Sequence, residues 1–182
     1  MLRTERLILR DWRDDDLDAF AALCADPAVM EYLRPVVDRA ASDAIAAQVR
    51  AHIREHGFGF WIVALADHEA PIGVIGLSHV GFTAPFTPAV EIGWRLAPSS
   101  WGKGYAYEAA AAALDDGFGR LELSEIVAFT VPANARSQAL MRRLGMTRDP
   151  RDDFDHPRVA ADSPLRRHVL HRLRREAWRA NP

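Results

Sequence analysis

Between residues 90 and 119 the chain changes its period twice, and this constrains the fold more than any other stretch. Val90-Glu91-Ile92-Gly93-Trp94-Arg95-Leu96 alternates strictly and predicts a strand with two different faces. Val90, Ile92, Trp94 and Leu96 point one way, and Glu91, Gly93 and Arg95 the other, where Gly93 is expected to leave open space beside Glu91. Pro98-Ser99-Ser100 ends the strand, and an alanine-rich helix follows from Gly104 to about Gly119. Trp101-Gly102-Lys103-Gly104-Tyr105-Ala106 lies between them. Its two glycines let the backbone turn sharply and approach a ligand without a Cβ clash. The helix start adds N–H groups without intrahelical acceptors and the positive end of a dipole. That is a pyrophosphate site built from main chain. Lys103, the only lysine among 23 basic residues, adds a charge at its rim.

Two other phosphate loops fail on residue identity. The P-loop needs Ser or Thr after Gly-Lys, where Gly104 stands. The dinucleotide fingerprint needs a third glycine where Tyr107 stands, and an early strand–helix–strand unit. A plain glycine turn ahead of a helix is the structural alternative.

Elsewhere, Arg6-Leu7-Ile8-Leu9-Arg10 predicts a first strand. Asp14-Asp15-Asp16 opens a helix with acids at its positive end; Leu17, Phe20, Ala21, Leu23 and Cys24 give its apolar stripe, and Pro27 closes the region. A second helix spans about Ala40 to His56, ended by Gly57 and Gly59. The runs 60–65 and 72–77 predict a hairpin around Asp67-His68-Glu69. Beyond the alanine-rich helix come a strand over 126–130, a helix from Asn134 to Leu144 stopped by Gly145, a polar loop from Pro150 to Pro164, a last strand over 168–171 and a charged tail. The order β-α-α-β-β-β-α-β-α-β predicts an α/β (α+β) fold, a mixed, mostly antiparallel sheet flanked by helices, in a single domain over 1–182.

A chain of 182 residues can bury a sizeable core, and its 49% hydrophobic content suits a globular domain. Charge is uneven: residues 1–141 carry −7 and residues 142–182 carry +5. A basic end of this kind suits an acidic or nucleic-acid surface, but a solvated arginine-rich strand face accounts for it better, so no nucleic-acid partner is expected. One cysteine, Cys24, excludes an internal disulfide. No apolar run is long enough to span a membrane, and residues 1–6 lack the apolar core of a signal peptide. These features together suggest the cytoplasm.

Four segments, in order, resemble the GNAT N-acetyltransferases: Glu91 to Leu96, Trp101 to Ala106, Asn134-Ala135-Arg136-Ser137, and Leu144-Gly145-Met146. Glu5 to Arg10 resembles the Rim-type branch, which acetylates ribosomal-protein N-termini. The family loop usually begins with Gln or Arg; Trp101 stands there, as is common in that branch. The resemblance implies acetyl-CoA as co-substrate. Its pantetheine would lie beside Ile92, Trp94 and Leu96, as an added strand on a sheet edge. Its pyrophosphate would rest on the N–H groups of Gly102, Lys103, Gly104, Tyr105 and Ala106. Asn134 would contact the pantetheine side, or serve only as a helix N-cap.

Acetyl transfer to an amine requires that the ammonium lose a proton, that an oxyanion find a donor and that a thiolate leave. Glu91 is the candidate base; the alternative is a structural carboxylate paired across the sheet. The family often places a tyrosine acid seven residues after the asparagine, but Met141 stands there and cannot donate a proton. Ser137 is the remaining polar group at that helix end, as a partner of the thioester or thiolate or as part of the cap. Tyr105 and Tyr107 stay open as acids. His156, His168 and His171 read as structural, and Asp155, His156 and His168 match no metal motif. Phe82, Pro85 and Phe86 either wall an acceptor site or cover the sheet. The expected acceptor is a peptide N-terminus or a small amine, and the expected state is monomer or homodimer. A non-catalytic acyl-CoA sensor is the second reading, favoured by Met141 and opposed by Glu91.

Overall fold

A computed structural model of the chain describes residues 1–35 and 38–179. In chain order the elements are β1 (Leu2–Arg3), β2 (Leu7–Arg10), α1 (Asp16–Ala25), α2 (Pro27–Met30), α3 (Arg39–His56), β3 (Phe60–Leu65), β4 (Pro71–His79), β5 (Val90–Leu96), α4 (Tyr105–Gly119), β6 (Glu125–Thr130), α5 (Ala135–Arg143), β7 (Thr147–Arg148), β8 (Phe154–Asp155), β9 (Arg167–Arg174) and α6 (Arg175–Arg179). The strands form a mostly antiparallel open sheet flanked by helices. β5 and β6 are its parallel pair, with Glu91 opposite Val127.

The chain packs as two compact units. The first comprises Met1–Ser78 and Gly93–Ala113. Here β1 to β4 pair antiparallel in sequence order. Trp12, Phe20, Leu23, Cys24, Ala46, Ile62 and Val74 form its core between the strands and helices α1 and α3. Trp12 packs edge-on against Phe20 at 4.9 Å and donates its indole N–H to the Phe60 carbonyl at 2.7 Å. The second unit comprises His79–Ile92 and the chain from Leu114 onward. In it β9 pairs antiparallel with β6, β7 and β8. Val127, Phe154 and Leu170 form a core there, joined by Phe82, Phe86 and Phe129.

Several expectations change. Pro27 begins a helix instead of closing one: Asp26 caps α2 by accepting from Ala28 N and Val29 N, and proline suits the first helical turn. The charged tail begins as α6, docked by Trp178 Nε1 on Asp115 at 2.8 Å and by Arg175 on the Leu123 carbonyl. Several arginines of the basic end are paired, almost all with acids of the same segment. Arg148 pairs with Asp153, Arg166 and Arg167 with Asp155, and Arg172 with Glu125 and Asp152. The aromatic loop covers the sheet, since Phe82 and Phe86 pack on Phe129 and Phe154.

Asp16 does more than meet a helix dipole. It is 2% exposed and accepts from both terminal nitrogens of the buried Arg10, at 2.7 and 2.8 Å, and from Arg13 N at 2.6 Å. Burial opposes its charge, but Arg10 and the Arg13 N–H outweigh it and hold the carboxyl below its ordinary range. Removing one partner strands a buried charge, which costs about 3–5 kcal/mol. Asp16→Ala should therefore lower unfolding free energy by about that amount in a urea titration. A depressed carboxylate stabilises above its unfolded pKa and stops doing so as pH falls through its folded one. The deficit of Asp16→Ala should accordingly shrink below the ordinary value of 3.8.

Candidate active site

Strand β5 ends in a 3-10 turn over Pro98–Ser100, and the loop to α4 follows. Gly102 and Gly104 have φ of +72° and +82°, in the left-handed region that L side chains rarely adopt. A local twist of this kind turns successive N–H groups inward and forms an anion-binding concavity. Trp101, which departs from the usual Gln or Arg, donates its indole N–H to the Leu96 carbonyl at 2.8 Å and bolts the loop to the strand end. Lys103 is exposed. Tyr105 and Ala106 begin α4, where main-chain N–H groups lack intrahelical acceptors.

Two residues that the sequence reading missed hold this loop. Arg6 donates to the Lys103 carbonyl at 3.0 Å and lies 4.9 Å from the centroid of the Tyr105 ring. A Cβ on Gly104 would stand 3.3 Å from Arg6 Nη2. Glu108, in the first turn of α4, accepts from Arg6 N at 2.9 Å, Arg6 Nε at 2.7 Å and Thr4 Oγ1 at 2.6 Å. Arg6 therefore sets the loop geometry and places a positive charge beside it. The signal was within Glu5 to Arg10, but its partner lies 102 residues away.

Glu91 is half-buried, and burial pushes its carboxyl up to about 7, against the pull of the Arg158 charge. Among the described residues it has no hydrogen-bond or ion-pair partner. The cross-sheet arginine pairing is therefore not made. Arg158 is held by the Gly81 carbonyl and lies 5.9 Å from the Phe82 ring centroid. The open space expected beside Gly93 is filled: a Cβ there would stand 2.9 Å from the Phe60 ring. Glycine at 93 makes room for Phe60.

On β5, Ile92 and Leu96 are buried and Trp94 is half-buried, in keeping with the face predicted for it. Asn134 caps α5: its Oδ1 accepts from Ser137 N at 3.1 Å and its Nδ2 donates to Thr130 Oγ1 at 3.0 Å. The protein thus engages both ends of that amide. Ser137 is half-buried in the first turn of α5. Met141 is 2% exposed, so the usual acid position points into the core. His156 and His168 belong to the aromatic cluster, 4.5 Å from Phe82 and 5.6 Å from Phe154 between ring centroids. Burial pushes the His168 and His171 rings below the ordinary range, as suits structural, neutral histidines.

Arg6→Ala removes the clamp on Lys103 and a charge beside the loop. Charge-assisted hydrogen bonds are the strong ones, so calorimetry should show acetyl-CoA binding weakened by roughly tenfold, with the fold intact. Unchanged affinity would separate the clamp from the cofactor site.

Comparison with known proteins gives the family. Residues 6–147 match the acetyltransferase (GNAT) domain family. The chain is 32% identical over 149 residues to the uncharacterised N-acetyltransferase YnaD of Bacillus subtilis (strain 168), covering 81% of this chain and 83% of YnaD. It is similar to the solved acetyltransferase of Agrobacterium tumefaciens str. C58, with TM-score 0.76, 30% identity and coverage of 94% of this chain and 92% of that one. The fold also matches Mycobacterium smegmatis RimJ in complex with CoA-disulfide, with TM-score 0.73, 24% identity and coverage of 93% and 82%. The chain belongs to the GNAT acetyltransferases and uses acetyl-CoA as its co-substrate.

Proposed function

We propose that the whole chain, 1–182, acts as one N-acetyltransferase domain that moves the acetyl group of acetyl-CoA directly to a primary amine in a ternary complex. The acceptor is a small amine or a peptide N-terminus. The observation that carries this reading is Glu91: a desolvated carboxyl with no hydrogen-bond or ion-pair partner among the described residues, on the strand that runs into the phosphate loop. A non-catalytic acyl-CoA sensor would have no use for such a group.

Pantetheine lies along Ile92, Trp94 and Leu96, and the pyrophosphate rests on the N–H groups of Gly102 to Ala106. Glu91 accepts the ammonium proton, directly or through water, and the freed amine attacks the thioester carbonyl. A strand N–H near Gly93 or Trp94 donates to the oxyanion. Collapse of the tetrahedral intermediate breaks the C–S bond, and the departing thiolate takes up the second proton lost by the amine and leaves as CoA. Thiols titrate near 8.5, so the thiolate needs little help, which explains how Met141 is tolerated. Ser137 is the helper at that step. Asn134 caps α5 and so orients Ser137, and its second Nδ2 hydrogen serves the pantetheine side of the cofactor.

With Glu91 near 7, wild-type kcat/KM should fall about tenfold per pH unit below that value, because a protonated carboxyl accepts nothing. Glu91→Gln should keep acetyl-CoA affinity and lower turnover at neutral pH by about a hundredfold. The deficit should shrink as pH rises and the amine deprotonates unaided. An equal loss at every pH would make Glu91 a positioning group.

Arg158→Ala should move the acid limb to higher pH, since the Arg158 charge now holds Glu91 down. Stability carries the opposite sign from that of Asp16. A raised carboxyl favours the folded state at low pH and loses that advantage between its ordinary 4.5 and about 7. Glu91→Gln should therefore melt a few degrees above wild type at pH 8 and level with it at pH 4, as read by calorimetric scans.

Ser137→Ala should slow turnover only about tenfold to a hundredfold. Complete loss with intact binding would make Ser137 more than a helper.

A further inference from the structure

Among the described residues no group neutralises the charge of Arg95. Its half-buried side chain reaches α1, where Nη1 donates to Cys24 Sγ at 3.0 Å and the guanidinium carbon lies 5.7 Å from the centroid of the Phe20 ring. Neither partner is an anion. Burial pushes the Cys24 thiol up despite the arginine beside it, so at neutral pH the sulfur keeps its proton. Among the described residues no carboxylate pairs with Arg95.

Two other arginines withdrawn from water behave differently. Arg10 is forked onto Asp16, and Arg172 bridges Glu125 and Asp152. Charges withdrawn from water are ordinarily paired, because desolvation costs several kcal/mol per ion.

A guanidinium has five N–H donors in a fixed plane, and the thiol is a weak acceptor for one of them. The side chain is only half-buried, and none of its nitrogens is an enclosed donor left without a partner, so its remaining donors reach accessible surface. The Phe20 face and the sulfur fix the plane of the fork, which suits a planar, bidentate acceptor. Arg95 also falls on the same face of β5 as Glu91.

We propose that Arg95 binds a carboxylate carried by the acceptor, and so selects small amines that are also acids, amino acids among them. The proposal rests on the reading that this face of β5 receives the acceptor. Arg95 is a specificity determinant in it and takes no part in proton transfer.

The test separates binding from chemistry. Calorimetry in the presence of CoA compares glycine, β-alanine, γ-aminobutyrate, 6-aminohexanoate and glutamate with the carboxamide of each. At least one acid should bind wild type roughly tenfold or more tightly than its amide, since a site built for a polar group rejects an analogue that lacks it. Arg95→Met should bring that ratio close to one, and Arg95→Lys should restore part of it. With the preferred acid, Arg95→Met should raise KM and leave kcat nearly unchanged, in thiol-release assays on a variant whose melting temperature confirms its fold.

A purely structural Arg95 would lower the melting temperature and leave the acid-to-amide ratio alone, which would overturn the proposal. So would equal binding of acids and amides, binding of neither, or tight Arg95-independent binding of a peptide N-terminus. Binding here needs no turnover. An active Glu91→Gln would therefore sink the base assignment while the acid preference stood or fell by itself.

Discussion

The carboxylate of Glu108 fixes the first functional turn of the protein. It accepts from the hydroxyl of Thr4 and from both the backbone and the side chain of Arg6, and Arg6 in turn holds the Lys103 carbonyl. A helix start can cradle a phosphate only if the turn before it stays put. Gly102 and Gly104 are the residues least able to hold a turn unaided, because their left-handed conformation is one of many open to glycine. Burial disfavours the Glu108 charge, but its donors more than offset this and keep the carboxyl below its usual range. The N-terminal segment thus acts as a brace for a loop a hundred residues later.

Acetyl transfer by this chain divides between the main chain and a few side chains. In the proposed site, phosphate recognition falls to backbone N–H groups, which any sequence could supply if the turn were right. In the mechanism we propose, selectivity and proton transfer fall to charged groups held away from water on β5, where desolvation raises what each interaction is worth. Among the described residues Glu91 has no hydrogen-bond partner and Arg95 no carboxylate, so the fold bears the cost of withdrawing their charges from water. Such costs mark places where function has overridden stability.

Much of the architecture was legible because period reports burial. The alternation of β5, the stripe of α3 and the small residues of α4 each follow from which face meets the core. β1 and β8 escaped because two-residue strands have no period. Pro27 was misread because proline both ends helices and suits their first turn; the Asp26 cap decided between the two. At the site, the glycine loop could be read because its conformation demands a residue type. The contacts of Arg6 with Glu108 and of Arg95 with Cys24 could not, since they join positions 102 and 71 residues apart with nothing local to announce them.

Gly93 was expected to open a gap, yet the ring of Phe60 fills it. The two positions share one volume across neighbouring parts of the sheet. Drift in this lineage should therefore be correlated: a methyl or larger group can enter at 93 only in sequences where 60 has already lost its ring, and a ring at 60 keeps 93 a glycine. Part of the signature in β5 thus records packing, although it sits between the two residues to which we assign chemistry.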